Sequence, residues 1–186
     1  MKNNTIILIA FLVLIVVVIA FFAMKNQKEV NTLIPEPTSP DTSLATQEGL
    51  PEAVEAKRQA IYQAALSRDY DTLADEADST LKYSFGGPYE GGFSGFMKLS
   101  AETEGESAFD ILPILLRLPY TENNGFYTWP SFFTKEATEW TEEDVVMMRT
   151  YLTEEEIESY RQFGAYIYYR VGIMADGRWV FYLAGD

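Results

Sequence analysis

The chain has 186 residues, 47% of them apolar and 15% aromatic, with 28 acidic against 14 basic residues and a net charge of −14. It contains no Cys and no His. That excludes disulfides, zinc–thiolate sites, thiol nucleophiles and imidazole acid–base chemistry, and leaves any reaction to carboxylates, Tyr, Lys, Arg or hydroxyls.

Residues 1–5 form a short tail. Ile6 to Met24, "IILIAFLVLIVVVIAFFAM", is 19 residues without charge or proline. As a helix it spans roughly 28 Å, close to the hydrocarbon thickness of a bilayer. A helix apolar all round is insoluble in water, and this run is long for a signal-peptide core. Residues 6–24 are therefore expected to be an uncleaved, single-pass anchor whose partner is the lipid bilayer. Lys2 on one side nearly balances Lys25 and Lys28 on the other, so the positive-inside rule decides little. The short head and the tether that follows suit a signal anchor in the cell membrane with its C-terminal domain extracytoplasmic.

Residues 25–50 carry Pro35, Pro37 and Pro40 among Ser and Thr. Such a composition buries too little surface to order itself, and reads as a semi-extended linker. The globular domain is placed at 51–186. From Glu29 onward 28 acids face 11 basic residues. This surface is repelled by phosphate backbones, so nucleic acid is not an expected partner.

Pro51, Glu52 and Glu55 suit a helix start, and Val54, Ile61, Ala65 and Leu66 recur at helical spacing. A short second helix runs through Leu73. "STLKYSF" alternates Leu81, Tyr83 and Phe85 with polar residues and predicts a strand. Gly86 to Gly92 is a turn-rich loop, and a short helix follows it. "AFDILPILLRLPY" predicts an apolar helix with Pro113 at its start or at a kink. "NNGFYTWPSFF" predicts a turn, a strand and an aromatic cluster that fills the core. Thr141 with Asp144, and Thr153 with Glu156, have capping-box spacing, and Gly164 suits a helix C-terminus.

Asp176-Gly177 signals a two-residue hairpin near the C-terminus. That turn would set Ile173 opposite Val180, Val171 opposite Tyr182 and Arg170 opposite Leu183. It places Tyr168, Arg170 and Trp179 on one face and Ile167, Tyr169, Val171 and Ile173 on the other. Both faces are largely apolar, so the strands should lie inside a sheet. Arg170 among apolar neighbours requires an acceptor. One reading is a structural ion pair; the other is a ligand site of Arg170, Tyr168 and Trp179 that holds a small anion.

The elements together predict an α+β class: a small helix-rich domain on an antiparallel sheet that ends in a C-terminal hairpin. "IYQAALSRDYDTLADEAD" resembles the opening helices of NTF2-like, cone-shaped α+β domains, and "YYRVGIMADGRWVFYL" looks like their last two strands. The resemblance implies a cone that binds a small molecule or docks a partner, and it carries over no catalytic residue.

Asp69, Asp71, Asp75 and Asp78 lack the spacing of a calcium loop, and Glu102, Glu104 and Glu106 offer a weak hard-cation alternative. No metal site or cofactor motif is expected. The preferred function is a non-catalytic binding or docking module of the cell envelope, with an envelope protein or a small anion as partner. The alternative is a carboxylate-dependent envelope hydrolase or isomerase. Two carboxylates facing one concave pocket would favour catalysis. An apolar pocket with a single Arg would favour ligand binding, and a filled cone would favour docking.

Overall fold

The computed structural model describes residues 44–86 and 89–185. The tail, the 6–24 anchor and most of the linker lie outside the described residues. Among the described residues no helix is long and apolar enough to cross a membrane.

Chain order is α1 (Glu52–Ser67), α2 (Tyr70–Asp75), β1 (Ala77–Lys82), α3 (Gly92–Thr103), α4 (Ala108–Leu115), β2 (Thr121–Asn123) and β3 (Phe126–Trp129). Two single-turn 3-10 helices, Ser131–Thr134 and Ala137–Glu139, lead to α5 (Glu142–Met148), α6 (Glu154–Phe163), β4 (Arg170–Met174) and β5 (Trp179–Leu183). The five strands form one sheet in the order β1-β5-β4-β3-β2. The class is α+β with helices packed on a sheet, as the sequence predicts.

The sheet is mixed rather than antiparallel. β2, β3, β4 and β5 pair antiparallel, whereas β1 runs parallel to β5. Parallel neighbours need a long connection, and here it is nearly the whole domain: β1 is the first strand in the chain and β5 the last. Nothing in a local hydrophobic pattern records which distant strand will lie alongside.

Local chemistry starts and stops the helices as expected. Thr141 with Asp144, and Thr153 with Glu156, exchange side-chain and backbone hydrogen bonds in two complete capping boxes. Asp69 caps α2 by accepting from the Thr72 amide at 2.7 Å. Gly164 ends α6 at φ 98°, a conformation open to glycine at little cost. Along α1, Val54, Ile61 and Ala65 are buried but Leu66 is 39% exposed. Arg58 and Tyr62 complete that buried face instead, because the 54-58-61-65 progression, with 62, tracks the helical repeat better than 66 does.

Residues ahead of the expected boundary at 51 pack against the helices and sheet. Leu44 is only 5% exposed. The fully buried Arg58 donates to the Ala45 carbonyl at 2.5 Å and the Leu116 carbonyl at 2.6 Å, and pairs with Glu55 at 2.8 Å. Gln59 donates to the Leu44 carbonyl at 2.7 Å. Leu44 and Ala45 are thus tied to α1 through polar side chains, which no apolar periodicity reveals.

The C-terminal hairpin shows the main departure in register. Gly177 has φ 87° while Asp176 does not have a positive φ. The Gly177 amide donates to the Met174 carbonyl at 2.8 Å, and the Met174 amide to the Arg178 carbonyl at 2.9 Å. The loop therefore has three residues, a turn closed by a left-handed glycine, rather than two. Ile173 consequently pairs with Trp179, and a bulge after it restores the expected Gly172–Phe181, Val171–Tyr182 and Arg170–Leu183 pairs.

Candidate functional site

The longer turn takes Trp179 off the face that the two-residue turn would give it with Tyr168 and Arg170. Trp179 lies on the Ile173 and Tyr182 face, fully buried, and its indole N–H donates to the Phe181 carbonyl at 2.9 Å. The Phe93 ring meets it edge-on at 5.3 Å. Tyr168 packs against Tyr151 and Tyr169. The Arg170 guanidinium stands over the Phe133 ring at 4.8 Å, and its Nη1 donates to the Gly185 carbonyl at 2.7 Å. Arg170 thus secures the C-terminal end of the chain. Gly172 beside it leaves room for the Phe181 ring, which comes within 2.0 Å of where a Cβ would stand.

The concave site lies elsewhere, between the end of β1, α3 and the C-terminal residues. It has a volume of about 340 Å³, at the small end of the range for ligand sites. Its aromatic wall consists of Tyr83, Phe85, Tyr89 and Phe96. Tyr83 and Phe96 stand 5.3 Å apart with planes 42° apart, and Tyr89 meets Phe96 edge-on at 5.1 Å. Phe85 (63% exposed) and Leu99 (44% exposed) continue the apolar surface to the mouth. Ser84, Ser100, Thr103, Glu104, Glu106 and Tyr169 also line the cavity, with Ala184 and Gly185. Among the described residues no Lys or Arg lines the cavity.

Glycines hold the aromatic wall in place. Gly91 at φ 77° turns the chain into α3, and the Gly92 amide closes that turn on the Tyr89 carbonyl at 3.0 Å. At Gly95 the Glu90 carbonyl oxygen lies 1.9 Å from where a Cβ would stand. This close approach brings Tyr89 over the first turn of the helix that carries Phe96. α3 ends at Thr103, and the residues that follow carry Glu104 and Glu106 to the cavity.

Glu106 is half-buried, and burial raises its carboxyl above the usual carboxylate range. A hydrogen bond with Tyr169 pulls the other way, while the charges of Glu104 and Glu156 add to the rise. Burial also raises the Tyr169 hydroxyl, with Glu106 nearby reinforcing the effect. Tyr169 stacks on Tyr182 at 4.7 Å, nearly parallel. Tyr182 is buried, and its hydroxyl has no hydrogen-bond partner among the described residues.

Of the acids singled out in the sequence, Glu104 and Glu106 line the cavity and Glu102 does not. Asp69 serves as a cap, Asp71 accepts from the Ser94 hydroxyl and Asp78 from Thr80. Among the described residues no group of acids could hold a metal ion. The aromatic wall was not singled out beforehand. Its trace in the sequence is the density of rings at 83, 85, 89, 93 and 96 around a glycine-rich loop. Of the other aromatic cluster, Trp129 and Phe132 are core residues, while Phe126 is 39% exposed.

No family profile, curated protein or solved structure matches this chain.

Proposed function

We propose that this chain is a membrane-anchored, extracytoplasmic binding module, and that the cavity beside α3 is its binding site. The observation that carries this reading is an open cavity lined by four aromatic rings and two carboxyl groups. The 6–24 apolar run supports the anchor. A cavity between helix and sheet end accords with the pocket that an NTF2-like cone implies. A small anion, the ligand suggested by Arg170, would meet only carboxylates as charged groups in this cavity.

Native mass spectrometry of the full chain in detergent, incubated with a small-molecule extract of cell envelopes, tests the binding role. A retained adduct that disappears with Phe85→Ser supports it; no adduct, or one indifferent to that change, counts against it. Protease added to intact protoplasts tests the topology, and protection of the domain until lysis would overturn it.

A second reading is favoured by one feature: two carboxylates at one cavity, with Glu106 held toward its neutral form. A carboxyl held toward its neutral form beside a second carboxyl is an arrangement that general acid–base catalysis uses. A chemically altered envelope component that forms with the wild type, while Glu106→Gln binds without converting it, would establish the enzyme.

A further inference from the structure

We propose that the cavity recognises an organic ammonium ion, with the charged head at Glu104 and Glu106 and the carbon body against the rings of Tyr83, Tyr89 and Phe96. This rests on the cavity being the binding site, and adds the chemical class of its ligand.

The first argument is charge. Among the described residues the lining holds two carboxylates and no basic side chain, so an anion entering it gains no counter-charge from them and loses hydration. An ammonium ion gains both carboxylates. The second is the shape of the wall. Tyr83 and Phe96 are tilted by 42°, and Tyr89 and Phe96 by 73°. These rings make a faceted surface rather than a flat slot. A planar ligand could stack on one facet only. A compact, rounded cation can present its methyl or methylene groups to several ring faces at once, where the ring quadrupoles attract positive charge. The third is the position of the polar groups. Ser100 and Thr103, one and two turns along α3 from Phe96, and Tyr169 line the cavity with the glutamates, so neutral oxygens are available to ammonium N–H groups beside the two carboxyls. The exposed Phe85 and Leu99 at the mouth extend the apolar path outward. They suit a ligand whose chain continues beyond the cavity. Two sources share this chemistry: a free alkylammonium compound, and a lysine side chain presented by a protein.

Equilibrium dialysis with the full chain in detergent tests the inference with three probes. These are choline, its uncharged carbon isostere dimethylbutanol, and Nα-acetyl-lysine methylamide as the side-chain mimic. The expected result is saturable binding of a cationic probe at least about tenfold tighter than the isostere. The double change Glu104→Gln and Glu106→Gln should remove that preference while leaving weak binding of the isostere. Gln keeps the shape of the neutral acid, so folding is not at risk, and a cooperative circular-dichroism melt no lower than that of the wild type checks this. Preference for choline points to a free ammonium compound, and preference for the lysine amide to a protein side chain. If the isostere binds as tightly as choline and Phe96→Ala weakens both, the charge inference falls and the binding site stands. If no probe binds, the ammonium inference falls, and the envelope-extract measurement decides the site by itself. A cationic preference that survives the double Gln change also overturns it.

Discussion

Gln47 accepts a hydrogen bond from the Trp129 indole at 2.9 Å and donates to the Leu118 carbonyl at 2.7 Å. A residue of the linker composition thus satisfies the buried indole N–H of a core tryptophan. With Leu44 buried and Ala45 accepting from Arg58, residues 44–50 belong to the folded unit. A chain beginning at Pro51 should be less stable than one beginning at Thr42. Losing one buried leucine and leaving a buried indole and a guanidinium short of acceptors costs on the order of 3 kcal/mol or more. Chemical denaturation of the two chains checks this, and equal midpoints would show that residues 44–50 contribute nothing.

The raised Glu106 carboxyl makes a signed prediction. Its neutral form is favoured in the fold by burial and by Glu104 and Glu156, while Tyr169 favours the charged form. Tyr160, Tyr168 and Tyr182 also lie within its electrostatic reach. Between the ordinary glutamate value and the raised one, the native state binds more protons than the unfolded chain. Stability from this group is therefore lost as pH rises through that window. Glu106→Gln should raise the melting temperature at pH 7 and make little difference well below the ordinary glutamate value. A variant less stable than wild type at pH 7 would show that the charged form is the supported one.

Asp144 has the opposite sign. Burial pushes its carboxyl up, but hydrogen bonds from Lys135 at 2.6 Å and from the Thr141 amide and hydroxyl at 2.8 Å outweigh burial and hold it below the usual range. Its contribution is present above the ordinary aspartate value and lost as pH falls through the depressed one. Asp144→Asn should cost about 2 kcal/mol at neutral pH, measured by urea denaturation, with the difference closing in acid.

The helix starts, the Gly164 stop and the outer register of the last hairpin were legible because each depends on residues a few positions apart. Thr141 reaches Asp144, Thr153 reaches Glu156, and Val171 still finds Tyr182 because the bulge compensates for the longer turn. The placement of Trp179 was not legible. Asp-Gly fits both a two-residue turn and a three-residue loop, and a difference of one residue sends the indole to the other face. The cavity joins Tyr83, Phe96, Glu106 and Gly185, which only the tertiary fold brings together. The acids were visible as a run, but nothing nearby in sequence indicated that aromatic rings would line a cavity with them.

Arg170 links the hairpin to one boundary of that cavity, since the carbonyl it holds belongs to Gly185. Arg170→Met should keep the apolar contact with Phe133 but lose the bond to Gly185. The expected cost is about 1–2 kcal/mol, with faster amide exchange at Gly185, whose N–H donates to the Ile167 carbonyl. Unchanged exchange there would mean that the C-terminal residues are held without the guanidinium.

Gly95 offers the most direct test of how the aromatic wall is built. A methyl group there would sit 1.9 Å from the Glu90 carbonyl oxygen and 3.0 Å from its carbon. Both are backbone atoms, so neither can swing aside as a flexible side chain would. The turn at Glu90–Gly91 must move, or the first turn of α3 must open. Either adjustment displaces Tyr89 from Phe96, which it meets edge-on at 5.1 Å. Alanine would otherwise strengthen a helix by close to 1 kcal/mol relative to glycine, so a gain in stability is the outcome if the clash is relieved cheaply. The expected outcome is a net loss of about 1–3 kcal/mol, the range for overpacking, together with weaker binding of whatever occupies the cavity. Gly92→Ala serves as the comparison. It meets no atom within 4 Å and has only the strain of φ 62°, so it should lower stability without the same loss of binding. If Gly95→Ala stabilises the protein and leaves binding unchanged, the close approach at Glu90 does not set the position of the wall.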